Sequence, residues 1–107
     1  MYWEYIKERE NCEIIERPWG FAVIQFLDEF TVYLKDIYIK PENRRAGRAT
    51  ELLDEVENIA KSSGFTRVLG SCSPAAKGST ESLKAILASG FKLQSCDKDI
   101  IYLIKEL

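Results

Sequence analysis

A short basic loop between a predicted strand and a predicted helix contains residues suited to binding an anion. It reads Arg44-Arg45-Ala46-Gly47-Arg48-Ala49. At the start of a helix several backbone N–H groups have no helical partner, and the helix dipole is positive there. Both properties attract an anion, most naturally a phosphate. Gly47 lets a ligand approach the backbone closely, and the three arginines raise the local positive potential. The loop therefore predicts a phosphate site.

The segments on either side position this loop. Residues 31–39 form a β-branched and aromatic run with apolar residues on both faces, which predicts a central strand. From about residue 46 to residue 62, apolar residues recur at helical spacing, and Gly64 is suited to end that helix. Because no linker separates strand, loop and helix, the helix should begin beside the end of the strand.

The whole chain predicts an α/β (α+β) fold with a mixed sheet. The predicted elements, in order, are strands 12–17, 20–27 and 31–39, helix 46–62, strand 66–72, a helix from Ser79 or Thr80 to Gly90, and strands 91–95 and 100–104. The first three strands should form an antiparallel meander. The crossover helix makes strands 31–39 and 66–72 parallel, and the last two strands form a hairpin with its turn at 96–98. Residues 1–10 suit a short helix or a strand.

Length and composition limit the class of protein. The chain has 107 residues, of which 46% are apolar and 30% charged, so we expect one globular domain over residues 1–107. A net charge of −2 gives no overall attraction to nucleic acid, so the arginines need a local explanation. No apolar run reaches membrane-spanning length, and the acidic N-terminus differs from a signal peptide. We expect a cytoplasmic protein that binds neither nucleic acid nor membrane.

The cysteine and histidine content argues against several kinds of site. Cys12, Cys72 and Cys96 are widely spaced, and the sequence contains no histidine. A metal site, a disulfide scaffold and a Ser-His or Cys-His nucleophile are therefore not expected. The default for all three cysteines is a buried, inert thiol.

The basic loop resembles one particular phosphate-binding motif. The dinucleotide fingerprint needs three glycines and the mononucleotide loop needs a Gly-Lys-Ser/Thr ending, and neither is present. The pattern Arg-x-x-Gly-x-Ala, between this strand and this helix and followed by Gly90-Phe91, resembles the acetyl-CoA diphosphate loop of the GNAT N-acetyltransferase superfamily. The order of elements over residues 12–107 is similar to that fold from its second strand onward.

The resemblance implies a set of contacts to acetyl-CoA. The loop backbone would hold the diphosphate, the strand edge would pair with the pantetheine arm, and the Ile39 region would bond the acyl carbonyl. The two parallel strands would splay apart to admit the donor. The implied donor contacts are Ile37, Tyr38, Ile39, Arg44, Arg45, Ala46, Gly47, Arg48, Ala49, Thr50 and Ser79. For Ser79 the alternative is a plain N-cap.

Two positions depart from the family pattern. Ile86 stands where relatives often carry a tyrosine acid, and Lys35 stands where a glutamate base is common. Asp36 is then the nearest carboxylate to the implied reaction centre and the candidate catalytic base, directly or through water. The alternative for Asp36 is an ion pair with a neighbouring cation.

The sequence therefore supports two hypotheses of function. The first is an N-acetyltransferase that uses acetyl-CoA and no metal, with direct attack by an amine of a small molecule or a protein. The second is an acetyl-CoA-binding module of reduced activity that works through protein contacts. Tyr2, Trp3 and Tyr5 mark either a homodimer contact or packing of the N-terminal segment.

Overall fold

The computed structural model describes residues 11–75 and 79–107, with only the backbone described for residues 79–82. The predictions for residues 1–10, including the contact by Tyr2, Trp3 and Tyr5, lie outside the described residues. In the described ranges the elements are β1 Cys12–Arg17, β2 Gly20–Phe26, β3 Thr31–Ile39, α1 Arg48–Ser62, β4 Arg67–Cys72, α2 Ser79–Ala88, β5 Lys92–Asp97 and β6 Ile100–Glu106. This is the predicted order of elements.

The strands form one mixed sheet in the order β1-β2-β3-β4-β6-β5. The first three strands are antiparallel, β3 and β4 are parallel, and β6 pairs antiparallel with both β4 and β5. The predicted meander, crossover and terminal hairpin are confirmed. β5 is the second edge of the sheet, and all six of its residues are exposed.

Several predicted boundaries differ from the structure by one or two residues, and two of these differences have a clear physical reason. α1 begins at Arg48 rather than near residue 46, because Gly47 has a φ of 77° and so caps the helix instead of joining it. The terminal turn lies at Lys98 and Asp99, not at 96–98. Cys96 and Asp97 pair with Ile101 and Ile100, and the left-handed φ of Lys98 reverses the chain after them.

Both helices cover the same face of the sheet, which we call the inner face. α1 packs on β2, β3, β4 and α2. Its apolar stripe is completely buried, and consists of Leu52, Leu53, Val56 and Ala60. Two ion pairs tie α1 to strands on either side of β3: Arg17 of β1 bonds Glu55, and Lys105 of β6 bonds Glu57. The helix start is therefore held at a fixed place beside the end of β3.

A β-bulge in β3 opens the centre of the sheet. Leu34 pairs with Ile24 and Asp36 with Val23, so Lys35 is the extra residue of β3 at this point. The parallel pairing of β3 with β4 ends at Leu34 and Gly70, although β3 continues to Ile39. A bulge bends its strand and increases its twist, so it directs the rest of β3 away from β4. The expected gap between the parallel strands is present.

Candidate functional site

The loop after β3 turns the chain sharply into α1. Lys40 N–H donates to the Trp19 carbonyl at 2.8 Å, and a single 3₁₀ turn follows at Pro41–Asn43. Arg45 and Gly47 then have φ values of 63° and 77°. Two left-handed residues this close together reverse the backbone within a few residues, and only the glycine adopts that conformation at little cost.

The start of α1 presents unsatisfied backbone donors. The first helical bond runs from Glu51 N–H to the Gly47 carbonyl at 3.1 Å, and no side chain caps the helix. Within residues 11–75 and 79–107, no group of the chain accepts a hydrogen bond from the N–H of Gly47, Arg48, Ala49 or Thr50. A Cβ built on Gly47 meets nothing within 4 Å, so the space in front of these donors is open. This geometry suits an anion that accepts several hydrogen bonds.

Two of the three arginines in the loop contact nearby residues of the protein. Arg44 Nε donates to the Ile39 carbonyl at 3.0 Å, and its guanidinium lies 5.8 Å from the centre of the Tyr38 ring. The guanidinium of Arg48 lies 4.9 Å from the centre of the Trp19 ring and 3.2 Å from both carboxylate oxygens of Glu51. These contacts fix the loop while adding positive charge around it.

A cavity of about 360 Å³ lies between the end of β3, the loop, α1 and α2. It is lined by Ile37, Tyr38, Ile39, Asn43, Arg44, Arg45, Gly47, Arg48, Ala49, Thr50, Leu53, Ala85 and Ile86. Of the residues expected to contact a cofactor, Ala46 does not line the cavity, and the Ser79 side chain lies outside the described residues. That the others bind a cofactor stays a prediction.

Sequence reasoning did not assign Asn43, Leu53 and Ala85 to the site. Asn43 ends the 3₁₀ turn beside the predicted motif, so its nearness in sequence was the available signal. Leu53 follows one turn after Ala49 on α1, which places both on one helix face. Ala85 reaches the cavity because α2 packs beside α1, a tertiary contact that no local pattern specifies.

The free edge of β3 faces the gap in the sheet. The bond from Lys40 N–H to the Trp19 carbonyl makes Gly20 and Ile39 a non-hydrogen-bonded pair. By the alternation of antiparallel ladders, the N–H and C=O groups of Ile39 and Ile37 therefore face away from β2. Ile39 C=O accepts from Arg44, and Ile37 N–H donates to Asp36 Oδ1 at 2.9 Å. Ile39 N–H and Ile37 C=O are left facing the gap.

The residues at the expected catalytic positions lie on different sides of the sheet. Ile86 lines the cavity on the inner face and is 2% exposed. Asp36 is exposed and lies at the bulge, outside the cavity lining. Its carboxylate accepts from the Ile37 backbone, a contact that the sequence did not predict.

The cysteines match the prediction in two cases of three. Cys12 and Cys72 are buried, but Cys96 is exposed because it lies on the edge strand β5, whose six residues are all exposed. Burial raises the pKa of the Cys72 thiol, so it is protonated at neutral pH and is a poor nucleophile. Among the residues that can be described, no group of histidine, cysteine and carboxylate side chains is placed to hold a metal ion. Neither helix in those ranges is long and apolar enough to cross a bilayer.

Comparison with known proteins identifies a family. The model of the acetyltransferase (GNAT) family matches residues 3–84. The search against curated proteins gave no match in sequence.

Solved structures share the fold at low sequence identity. A GNAT family acetyltransferase from Elizabethkingia anophelis with acetyl-CoA bound matches 97% of this chain and 83% of its own, with 17% identity and a TM-score of 0.75. The PaiA N-acetyltransferase from Thermoplasma acidophilum, in complex with coenzyme A, matches 97% and 67% with 20% identity and a TM-score of 0.80. An acetyltransferase from Streptococcus agalactiae matches 99% and 73% with 22% identity and a TM-score of 0.76.

Proposed function

Because this chain belongs to the acetyltransferase (GNAT) family, we propose that it transfers the acetyl group of acetyl-CoA to an amine by direct attack on the thioester. The observation that carries the proposal is the row of unsatisfied N–H groups from Gly47 to Thr50, which opens onto the cavity. Donors in this arrangement match a diphosphate better than a neutral ligand. The similar structures with acetyl-CoA bound and in complex with coenzyme A support this assignment.

The dimensions of the site fit an extended acyl donor. Acetyl-CoA would supply an activated thioester at the far end of a linear arm. From Ile39, beside the loop, back to Leu34, where pairing with β4 ends, β3 spans about 16 Å. This length of strand edge is not paired with β4 and is available to an extended arm. Ile39 N–H, facing the gap, would donate to the acyl carbonyl oxygen of the donor.

Backbone donors beside the thioester supply the electrophilic part of the chemistry. A hydrogen bond to the acetyl oxygen stabilises the negative charge that develops there as the amine attacks. Removing one such donor typically costs a hundredfold to a thousandfold in rate, on the order of 3 kcal/mol. The edge of β3 therefore polarises the thioester as well as positioning it.

Asp36 is our candidate for the group that takes a proton from the acceptor. A primary amine is an ammonium ion at neutral pH and must lose a proton before it attacks. Asp36 is exposed beside the bulge, so it can receive that proton directly or through a water molecule. The acceptor would be an amine of a small molecule or of a protein. A homodimer and a cytoplasmic location stay predictions.

Release of coenzyme A over a panel of amines tests the proposal. We would incubate the protein with acetyl-CoA and spermidine, a lysine-containing peptide or a peptide with a free N-terminus, and separate the products by chromatography. A thiol-reactive dye is unsuitable because Cys96 is exposed. We expect an acetylated amine from at least one class, and none from Gly47→Glu. Donor binding without transfer to any amine would contradict the enzyme and favour a binding module.

A further inference from the structure

We propose that β5 binds β5 of a second copy of this chain edge to edge, so that two sheets join into one across a twofold axis. β5 is the last strand in the order of the sheet, and β6 is its neighbour on one side. Within residues 11–75 and 79–107, no strand pairs with its other side. The row of N–H and C=O groups there can pair with another chain. The proposal concerns assembly and does not depend on acetyl transfer.

The side chains of β5 on the inner face leave apolar surface in contact with water. Leu93 is 66% exposed, the highest value among the large apolar side chains of the described residues. It pairs with Leu103 of β6, which is completely buried in the core, and Cys96 pairs with Ile101, which packs against that core. Leu93 and Cys96 therefore both lie on the inner face, beyond the residues that the helices cover.

A β-bulge produces this arrangement. The register between β5 and β6 shifts between Leu93 and Ser95. In a regular strand, residues three or five apart lie on opposite faces. One extra residue brings Leu93 and Cys96 to the same face, and it likewise brings Lys92 and Asp97 together on the outer face, opposite the helices.

One antiparallel register pairs all six residues of β5 with a second copy. It places Lys92 opposite Asp97 of the second copy, and Leu93 opposite Cys96 of the second copy. Opposed residues of an antiparallel pair must share a face, and the bulge meets this condition for both pairs. Because the twofold axis repeats each contact, the interface contains two Lys–Asp pairs and two Leu–Cys contacts.

The same features disfavour pairing with unrelated strands. A lysine and a bulge on an edge strand normally hinder pairing with another chain. In the register above, Lys92 instead meets a carboxylate, and the bulge of each copy lies beside the axis. The edge of β5 is therefore selective for a second copy.

The opposite edge of the sheet lacks this complementarity. If all six residues of β1 paired with β1 of a second copy, Glu13 would lie opposite Glu16 of that copy, twice. Like charges directly opposite each other destabilise an antiparallel pair. Pairing of β1 with β5 of another copy is heterologous and gives rings or filaments rather than a closed dimer. The β5 contact is the one that satisfies both charge and closure.

Reversal of the two charges tests the contact. In sedimentation equilibrium, the wild type should approach twice its mass of 12.3 kDa as the protein concentration rises. Lys92→Asp and Asp97→Lys each place like charges opposite each other twice, so each should raise the dissociation constant of the dimer about tenfold. The double variant restores both pairs and should dimerise like the wild type. Lys61→Asp makes the same charge change at an exposed position of α1 and is the matched control.

A cysteine at position 93 tests the register. Opposed residues in antiparallel strands have Cα atoms about 4.5–5.5 Å apart, which a disulfide can span. Oxidation of Leu93→Cys should join the new thiol to the exposed Cys96 of the second copy and give a covalent dimer on a non-reducing gel. Leu27→Cys is the matched control, because Leu27 is 47% exposed and follows β2, far from β5. The control and the wild type should remain uncrosslinked.

Three results would overturn the inference. In the first, the wild type stays monomeric at every concentration at which it is soluble. In the second, Lys92→Asp leaves the dissociation constant unchanged, or the double variant dimerises no better than the single ones. In the third, the wild type is dimeric but Leu93→Cys forms no more covalent dimer than Leu27→Cys. Each of these results leaves the proposed acetyl transfer intact.

Discussion

Replacing Gly47 by glutamate separates backbone strain from loss of the anion site. Gly47 has a φ of 77°, and a Cβ at this position meets nothing within 4 Å, so a side chain fits without a clash. A non-glycine residue in this conformation costs about 1–2 kcal/mol. The new carboxylate would lie in front of the N–H groups of residues 47–50, where it competes with a diphosphate and repels it.

Gly64 provides a matched control at the other end of α1. Its φ is 87°, and a Cβ there also meets nothing within 4 Å. Gly64→Glu therefore carries the same strain and the same charge, but far from the loop. Each variant should lower the melting temperature of the free protein by about 5–10 °C, since 1 kcal/mol corresponds to about 4–8 °C in a small domain.

The assay is thermal unfolding with acetyl-CoA at a hundredfold excess over its dissociation constant. Binding at that concentration stabilises the folded state by about 2.7 kcal/mol, which raises the melting temperature by about 10–20 °C. We expect this rise in the wild type and in Gly64→Glu, and none in Gly47→Glu. An equal rise in both variants would refute the assignment of the loop as the diphosphate site.

Three further predictions concern the scaffold. Ile86→Tyr puts a larger side chain at a position that is 2% exposed, so the urea midpoint should fall by the equivalent of about 1–3 kcal/mol; an unchanged midpoint would show that the cavity absorbs the ring. In the wild type, Lys105 Nζ lies 2.5 Å from Glu57 Oε1, and Glu57→Gln removes this counter-ion. The free energy of unfolding, measured in the same urea titration, should fall by about 3 kcal/mol. A fall of less than about 1 kcal/mol, as for an exposed pair, would contradict this prediction. Asp28→Asn tests the lowered pKa of Asp28, caused chiefly by the hydrogen bond from Phe30 N–H. The carboxylate stabilises the fold fully above its ordinary pKa of 3.8, so the difference in urea midpoint between wild type and variant should disappear as the pH falls below that value; a constant difference would contradict it.

The order of elements was predictable because local patterns specify it. Gly47 and Gly64 mark the ends of α1, and the apolar stripe between them has the helical period. Patterning also indicated β3, since its β-branched and aromatic run is typical of a strand with neighbours on both sides. The loop motif then located the start of α1 beside the end of β3.

The bulge was readable in principle but was not predicted. Val32 and Leu34 face the core before Lys35, and Ile37 and Ile39 face it afterwards, so the inward positions change from even to odd numbers. A change of phase in a period-two pattern requires one extra residue in the strand. This shift from even to odd apolar positions is visible in the sequence of residues 31–39. From the sequence alone it was interpreted only as a strand with apolar residues on both faces.

The contact between the Tyr33 and Ser71 hydroxyls and the side of the cavity formed by α2 both depend on tertiary contacts. Tyr33 and Ser71 are 38 residues apart in sequence, and their hydroxyls meet because β3 and β4 are neighbours in the sheet. Ala85 and Ile86 reach the cavity because α2 packs against α1 and β4. The sequence pattern gives the apolar face of α2 but not its placement over the end of β3.

The central claim is that the backbone donors from Gly47 to Thr50 bind the diphosphate of the donor. Amide proton and nitrogen chemical shifts of these four residues, followed by NMR during titration, test it most directly. Acetyl-pantetheine, which lacks the diphosphate, is the matched ligand. We expect the amide protons to shift downfield with acetyl-CoA and to remain in place with acetyl-pantetheine. Saturation with acetyl-CoA that leaves these four signals unmoved would contradict the account.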